Sequence, residues 1–263
     1  MTRLADYPDE IDALAVAEFD QHYPALQLAE LVVVIAAYNE ADGIGAVLTE
    51  MPKRCCGMPV DVLVVVDGAT DATAEVARAY GAYTCVAPRN RGQGAALRLG
   101  YRLAARHGAR FVVTTDADGQ YDGAELETLV TPLLDGRADF VTGSRRLGHH
   151  VSDNRVRWLG VRVFAVLASV LTWRHITDTS FGFRAMRAEL ARSVTLTEPQ
   201  YQSSELLLGV AARGARVVEV PMTMRLRAHG ASKKGANLVY GANYARVMVR
   251  TWFREYVRGG RRR

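Results

Sequence analysis

Cysteine is scarce: Cys55, Cys56 and Cys85 are the only three, and an odd number with two adjacent implies no disulfide framework and points to a reducing compartment. No cysteine stands at a metal-centre spacing, and His149, His150 and His175 have no convincing partners. A membrane-spanning run is missing too. The longest strongly apolar segment, Val163 to Trp173, falls well short of the roughly 20 residues that crossing a bilayer requires. The amino terminus lacks a basic region followed by an apolar core, because Asp6, Asp9, Glu10 and Asp12 interrupt it, so it reads as a cytoplasmic start. No internal repeat and no low-complexity linker divides the chain, which predicts one domain with terminal extensions.

What is present is enough for a globular protein. Of 263 residues, 49% are hydrophobic, sufficient for a substantial core. The net charge of +5, from 33 basic and 28 acidic residues, is too modest to imply a nucleic-acid partner. It is also uneven: positions 258–263 hold four arginines and no acid, a tail suited to an anionic surface.

Apolar runs of strand type occupy Leu31 to Ala37, Val60 to Val66, Tyr83 to Ala87, Arg110 to Thr115 and Ala138 to Gly143, with helical periodicity between them. Strands that alternate with helices and are nearly all apolar predict an α/β fold with a mostly parallel sheet covered on both faces. Asn39 is placed to cap the helix carrying Ile44, Val47, Leu48 and Met51, and Thr70-Asp71 to open the next. Further on, Val156 to Trp173 reads as an apolar helix bearing Arg157 and Arg162, Tyr201 to Arg213 as a helix, and Arg216 to Val220 as a strand. From Gly235 the pattern Leu238, Tyr240, Tyr244, Val247, Met248 and Trp252, with arginines at 246, 250 and 254, predicts a basic amphipathic helix. The expected division is an extension at 1–30, the main domain at 31–233, and the amphipathic helix and tail at 234–263.

The run Phe111 to Gln120 sets two carboxylates, Asp116 and Asp118, directly after a Val- and Thr-rich strand, with Gly119 letting the chain turn. Carboxylates spaced i and i+2 at a strand's carboxyl end sit where α/β proteins bind ligands. Oxygen ligands of this kind suit Mg²⁺ or Mn²⁺ holding a phosphate ester. The plainer reading makes Asp116 a cap and Asp118 a turn residue. Two other strands end in similar groups, at Asn39-Glu40 and Asp67-Gly68. Parallel strands share one carboxyl edge, so the three groups converge on a single crevice, which favours the ligand site.

Five segments, Val-Val-Val-Ile-Ala-Ala-Tyr-Asn-Glu, Val-Val-Val-Asp-Gly-Ala-Thr-Asp-Ala-Thr, Asn-Arg-Gly-Gln-Gly-Ala-Ala-Leu, Asp-Ala-Asp-Gly-Gln and Val-Thr-Gly-Ser-Arg, follow one another in order. In order and spacing the chain resembles the family 2 inverting glycosyltransferases of GT-A fold, most of all the polyprenyl-phosphate sugar synthases such as dolichyl-phosphate mannose synthase. The resemblance runs from about Leu31 to Lys233 and implies a Rossmann-like single domain. It implies that Tyr38, Asn39, Glu40 and Asp67 line the nucleotide pocket, with Asp67 accepting from a ring N–H of the base; a turn-capping Asp67 is the simpler alternative. Most relatives carry two aspartates where this chain has Val66-Asp67. They also carry Lys where this chain has Gln93, so Arg91 or Arg89 is the candidate replacement cation.

By the same resemblance Asp116 holds the ribose side, while Asp118 and Gln120 hold the metal, Mg²⁺ or Mn²⁺. Ser144 and Arg145, with Arg155 or Arg157, match groups near the acceptor phosphate. Asp178 is the first candidate to orient or deprotonate the acceptor and Glu205 its competitor, in a segment where Phe181 stands before Gly182 and the family's Ser is displaced to 180. Arg227, Ser232 and Lys233 match a segment closing over the diphosphate, with His229 a lid residue.

The resemblance therefore implies an inverting, metal-dependent transferase that moves a sugar from a UDP- or GDP-sugar to a polyprenyl phosphate. The apolar and basic helices add an expected peripheral contact at the inner face of the cell membrane. Two alternatives are a soluble transferase with a small hydroxyl acceptor and a non-catalytic sugar-nucleotide binder.

Overall fold

The computed structural model describes residues 9–148, 155–226 and 237–258. The first half runs α1 (Glu10–His22), β1 (Leu31–Ala37), α2 (Ala41–Glu50), β2 (Arg54–Cys55), β3 (Met58–Asp67), α3 (Thr73–Ala79), β4 (Tyr83–Ala87), α4 (Gln93–Arg106) and β5 (Phe111–Asp116). After a 3-10 turn at Gly123–Glu125 come α5 (Leu126–Leu134), β6 (Phe140–Ser144), α6 (Arg155–Thr172), β7 (Arg184–Arg187) and α7 (Ala188–Ser193). The chain closes with α8 (Gln202–Ala212), β8 (Val217–Pro221) and α9 (Asn237–Trp252), extended by a π-helical stretch at Phe253–Arg258.

Among the described residues eight strands form one sheet in the order β2-β3-β1-β5-β7-β6-β8, with β4 also on β3. β1 lies parallel between β3 and β5, and β6 is parallel to β8. The expected mostly parallel sheet is interrupted at β7, which runs antiparallel to both β5 and β6. β7 left no apolar run in the sequence because its four residues, Arg-Ala-Met-Arg, begin and end on arginine. Arg184 can start a buried strand because its guanidinium donates to the carbonyls of Thr179, Phe181 and Ser203.

The apolar strands are explained by burial on both faces. Val32 and Val34 of β1 face a core shared with α1, α4 and α8, whereas Leu31, Val33 and Ile35 face one shared with α2 and α5. Two helix starts differ from expectation. Asn39 does not cap α2: it has φ 52°, and its Oδ1 accepts the Thr70 N–H at 2.8 Å. The start of α2 is held instead by Asp71 Oδ2, which accepts from Ala41 N, and Thr73 Oγ1, which accepts from Glu40 N. Asp71 thus ties two helices, and α3 begins at Thr73 instead of Thr70.

Gly100 of α4 sets the distance between this helix and the sheet. A Cβ there would lie 2.4 Å from Val34 Cγ1 and 3.1 Å from Val65 Cγ2. Overpacking of about 1–3 kcal/mol outweighs the roughly 1 kcal/mol that Ala gains over Gly in a helix. Gly100→Ala is therefore expected to lower the urea midpoint, by about 1 kcal/mol of stability, with the m value unchanged. A raised midpoint would mean that β1 yields to the methyl group.

Candidate active site

The carboxyl ends of β1, β3 and β5 open into a cavity of about 640 Å³. Tyr38, Glu40, Asp67 and Gln93 line it together with Asp116, Asp118 and Gln120. Arg145, Ser180, Tyr201, Tyr240 and Tyr244 also contribute to its wall. Asn39, expected here, does not line the cavity, because its side chain is spent on Thr70 across the strand ends.

Asp67 is buried, and its Oδ2 accepts the backbone N–H groups of Arg91 (2.6 Å) and Gly92 (2.8 Å). Oδ1 receives only the longer contact from Arg91 Nε, 3.4 Å. The turn after it needs glycine: Gly68 has φ 68°, and a Cβ there would meet Asn90 N at 2.1 Å. Arg91 does not replace the missing cation of the nucleotide loop. Its Nη1 pairs with Asp9 at 3.1 Å and with the fully buried Asp12 at 2.5 Å. Burial lowers the Arg91 pKa, but the Asp12, Asp9 and Asp67 carboxylates outweigh it and the net shift is upward. At the loop's next position Gln93 Nε2 donates to Asp116 Oδ1 at 2.8 Å.

In the loop that follows β5, Asp118 Oδ1 accepts the Gln120 N–H at 3.1 Å. Gln120 Nε2 donates to the Arg225 carbonyl at 3.3 Å, so its amide oxygen remains the side chain's acceptor. Among the described residues no three or more His, Cys, Asp or Glu side chains form a set that could hold a metal ion. The Asp118 carboxylate and the Gln120 amide oxygen nevertheless fit Mg²⁺ or Mn²⁺ where ligand oxygens and water complete the shell.

Arg145, also in the wall, is buried, and its Nε donates to Asp178 Oδ2 at 2.6 Å. Its Nη2 reaches Ser180 Oγ at 2.9 Å. Asp178, expected to orient or deprotonate the acceptor, is fully buried, accepts from Arg145, Ser180 N and Ser180 Oγ, and does not line the cavity. Glu205 is likewise fully buried, bound by Thr197 N, Glu198 N and Arg254. Ser144 also departs from expectation: its hydroxyl pairs with Thr177 Oγ1 at 2.6 Å and does not line the cavity. The displaced Ser180 gains a purpose, since Phe181 fills the core against Tyr121 while Ser180 reaches Arg145.

Sequence reading missed the groups that fix this 177–182 loop. Glu219 accepts from Thr177 N (2.7 Å) and Asp178 N (2.9 Å), and burial raises its pKa. Tyr244 donates to the Thr179 carbonyl at 3.0 Å, and Tyr121 accepts the Gly182 N–H at 2.8 Å. Only the carboxylate in the middle of the short apolar run Arg216 to Val220 could have drawn notice to Glu219. The α6 backbone carries Arg155 and Arg157, whose side chains lie outside the described residues, as do Arg227, His229, Ser232 and Lys233 altogether.

Comparison with known proteins agrees with this architecture. The pattern of Glycosyl transferase family 2 matches residues 32–195. A dolichyl-phosphate hexose transferase of Haloferax volcanii is 36% identical over 199 residues, covering 76% of this chain and 84% of its own. An undecaprenyl-phosphate mannosyltransferase of Micrococcus luteus is 28% identical over 224 residues, covering 80% of this chain and 89% of its own. In three dimensions the chain is similar to glucosyl-3-phosphoglycerate synthase of Mycobacterium tuberculosis, solved with Mn²⁺, uridine diphosphate and glucosyl-3-phosphoglycerate. The TM-score is 0.65 at 22% identity, covering 91% of this chain and 83% of that one. With a family match across more than half its length and a GT-A sheet beneath the site, the chain belongs to Glycosyl transferase family 2 and is a glycosyltransferase.

Proposed function

We propose that the protein transfers a sugar, with inversion and with Mg²⁺ or Mn²⁺, from a nucleoside-diphosphate sugar to a polyprenyl phosphate. The observation that carries this reading is one cavity that joins Asp116, Asp118 and Gln120 to a buried, carboxylate-held Arg145. Tyr38, Glu40 and Asp67 serve the nucleoside, Asp116 the ribose side, and Asp118 with Gln120 would hold the metal. A bound divalent ion would supply charge neutralisation for the departing diphosphate. Arg227, Ser232 and Lys233 are assigned to the diphosphate by the resemblance alone.

Arg145 is assigned to the acceptor phosphate, held in one geometry by Asp178 and Ser180. A phosphate monoester is already anionic at neutral pH and needs no strong base, whereas a hydroxyl does. Both carboxylates proposed for such a base, Asp178 and Glu205, are buried and hydrogen-bonded, which supports the phosphate. So do the two relatives named for dolichyl and undecaprenyl phosphate transfer.

Contact with a membrane has support in α6. Leu159, Val163, Val166 and Val170 form an exposed stripe at helical spacing, continued by Trp173. Positions 155–177 contain four arginines and no acid, which suits an anionic bilayer surface. The aromatic face of α9 turns inward instead, with Tyr244 buried and Tyr240 and Trp252 packed on the core. No helix of the described residues is long and apolar enough to cross a membrane.

Three outcomes are expected. Asp118→Asn should lower nucleoside diphosphate release from UDP- or GDP-sugars by at least about a hundredfold, as EDTA should, with the melting temperature little changed. Arg145→Lys should raise KM for a polyprenyl phosphate by about tenfold and leave the donor KM unchanged, since an ammonium lacks the planar fork. The double change Val166→Glu and Val170→Glu should abolish co-sedimentation with anionic vesicles. Turnover with a small hydroxylated acceptor and none with a polyprenyl phosphate would sink the acceptor assignment.

A further inference from the structure

Residues 9–22 precede the matched family region, yet they touch its nucleotide side through a single arginine. α1 is anchored on β4 by Ala15, Val16 and Phe19, all buried, and its last turn is tied to α4 by Asp20 and Arg106 at 2.9 Å. This fixed helix presents Asp12 toward Arg91, with no exposure of the carboxylate to solvent. An unpaired carboxylate there would carry a large desolvation cost; Arg91 pairs with its Oδ1 at 2.5 Å, and Arg98 and Arg102 with its Oδ2 at 3.4 and 3.7 Å. The guanidinium that pairs with Asp12 also reaches Asp67 Oδ1, and the same residue's backbone N–H sits on Asp67 Oδ2. Asp67 therefore has its plane and loop fixed from a helix far away in sequence. Its Oδ1, with one long contact, keeps capacity for a ring N–H.

We infer that α1 is a positioning element of the donor site, in which Asp12, acting through Arg91, sets the Asp67 carboxylate and the 90–92 backbone for the base of the nucleotide. Asp12 and Arg91 touch no substrate; they are positioning residues. The inference rests on the nucleotide-sugar reading above. Arg98 provides the internal contrast, because it pairs with the other oxygen of Asp12, Oδ2, and with the Leu196 carbonyl, whereas Arg91 pairs with Asp67.

The test uses the full chain with Mn²⁺ and three probes: UDP, GDP and inorganic pyrophosphate, titrated calorimetrically. Asp12→Asn and Arg91→Gln should each weaken whichever nucleotide the wild type binds by about tenfold, the value of one mis-set hydrogen bond. The two changes together should weaken it no further, since they break one link. Pyrophosphate, which has no base, should bind all variants alike. Arg98→Gln should lower the melting temperature without moving nucleotide affinity, and Asp12→Glu should restore part of the loss. Arg91 lies in a loop, so its variant decides the matter if Asp12→Asn does not fold. Unchanged nucleotide affinity, or equal loss for nucleotide and pyrophosphate, overturns the positioning role. A wild type that binds neither UDP nor GDP overturns the donor reading as well, and so separates the two failures.

Discussion

The parallel pairing of β1 with β3 and β5 is the constraint on which the site depends. Because the three strands run together, their polar endings emerge at one edge with no need for a dedicated loop to gather them. The register makes this concrete: Ala36 stands beside Asp116 while Ala37 stands beside Val66, so Asp67 lies one residue beyond. The carboxylates are thus presented from rigid strands whose side chains are buried on both faces. A site mounted on such elements varies less in position than one mounted on loops.

Arginine use explains why net charge says little about this cavity. Arg184 is buried on three carbonyls, and the half-buried Arg91 and Arg254 pair with three aspartates and with Glu205 and Glu255. Such cations are consumed by the fold, and removing either partner of a buried pair leaves an uncompensated charge. Arg145 is buried too but differs by place, since it lines the cavity while its guanidinium is held by Asp178 and Ser180. Its orientation in turn depends on Glu219, Tyr244 and Arg184, which fix the loop bearing Asp178 and Ser180.

The second half of the chain was less legible than the first for a physical reason. In the first half the longer strands are mostly apolar because both faces are covered, and period and composition reveal it. β7 is four residues with arginines at both ends, stabilised by carbonyls that only the fold brings near, so no local pattern marks it. Asn39 misled for a related reason. Its type suits a helix cap, but the tertiary neighbour Thr70 took its side chain, and Asp71 and Thr73 took over the helix start.

The sequence by itself determined the family, the α/β class, the strands whose ends carry Glu40, Asp67 and Asp116, and the Asp-Ala-Asp-Gly-Gln loop, because burial on two faces and turn chemistry are local signals. Only the tertiary structure decided which charged groups are spent. Asp178, Glu205, Ser144 and Arg91 have side chains suited to catalysis or ligand contact, yet each is committed to partners far away in the chain, and such partners are visible only once the chain is folded.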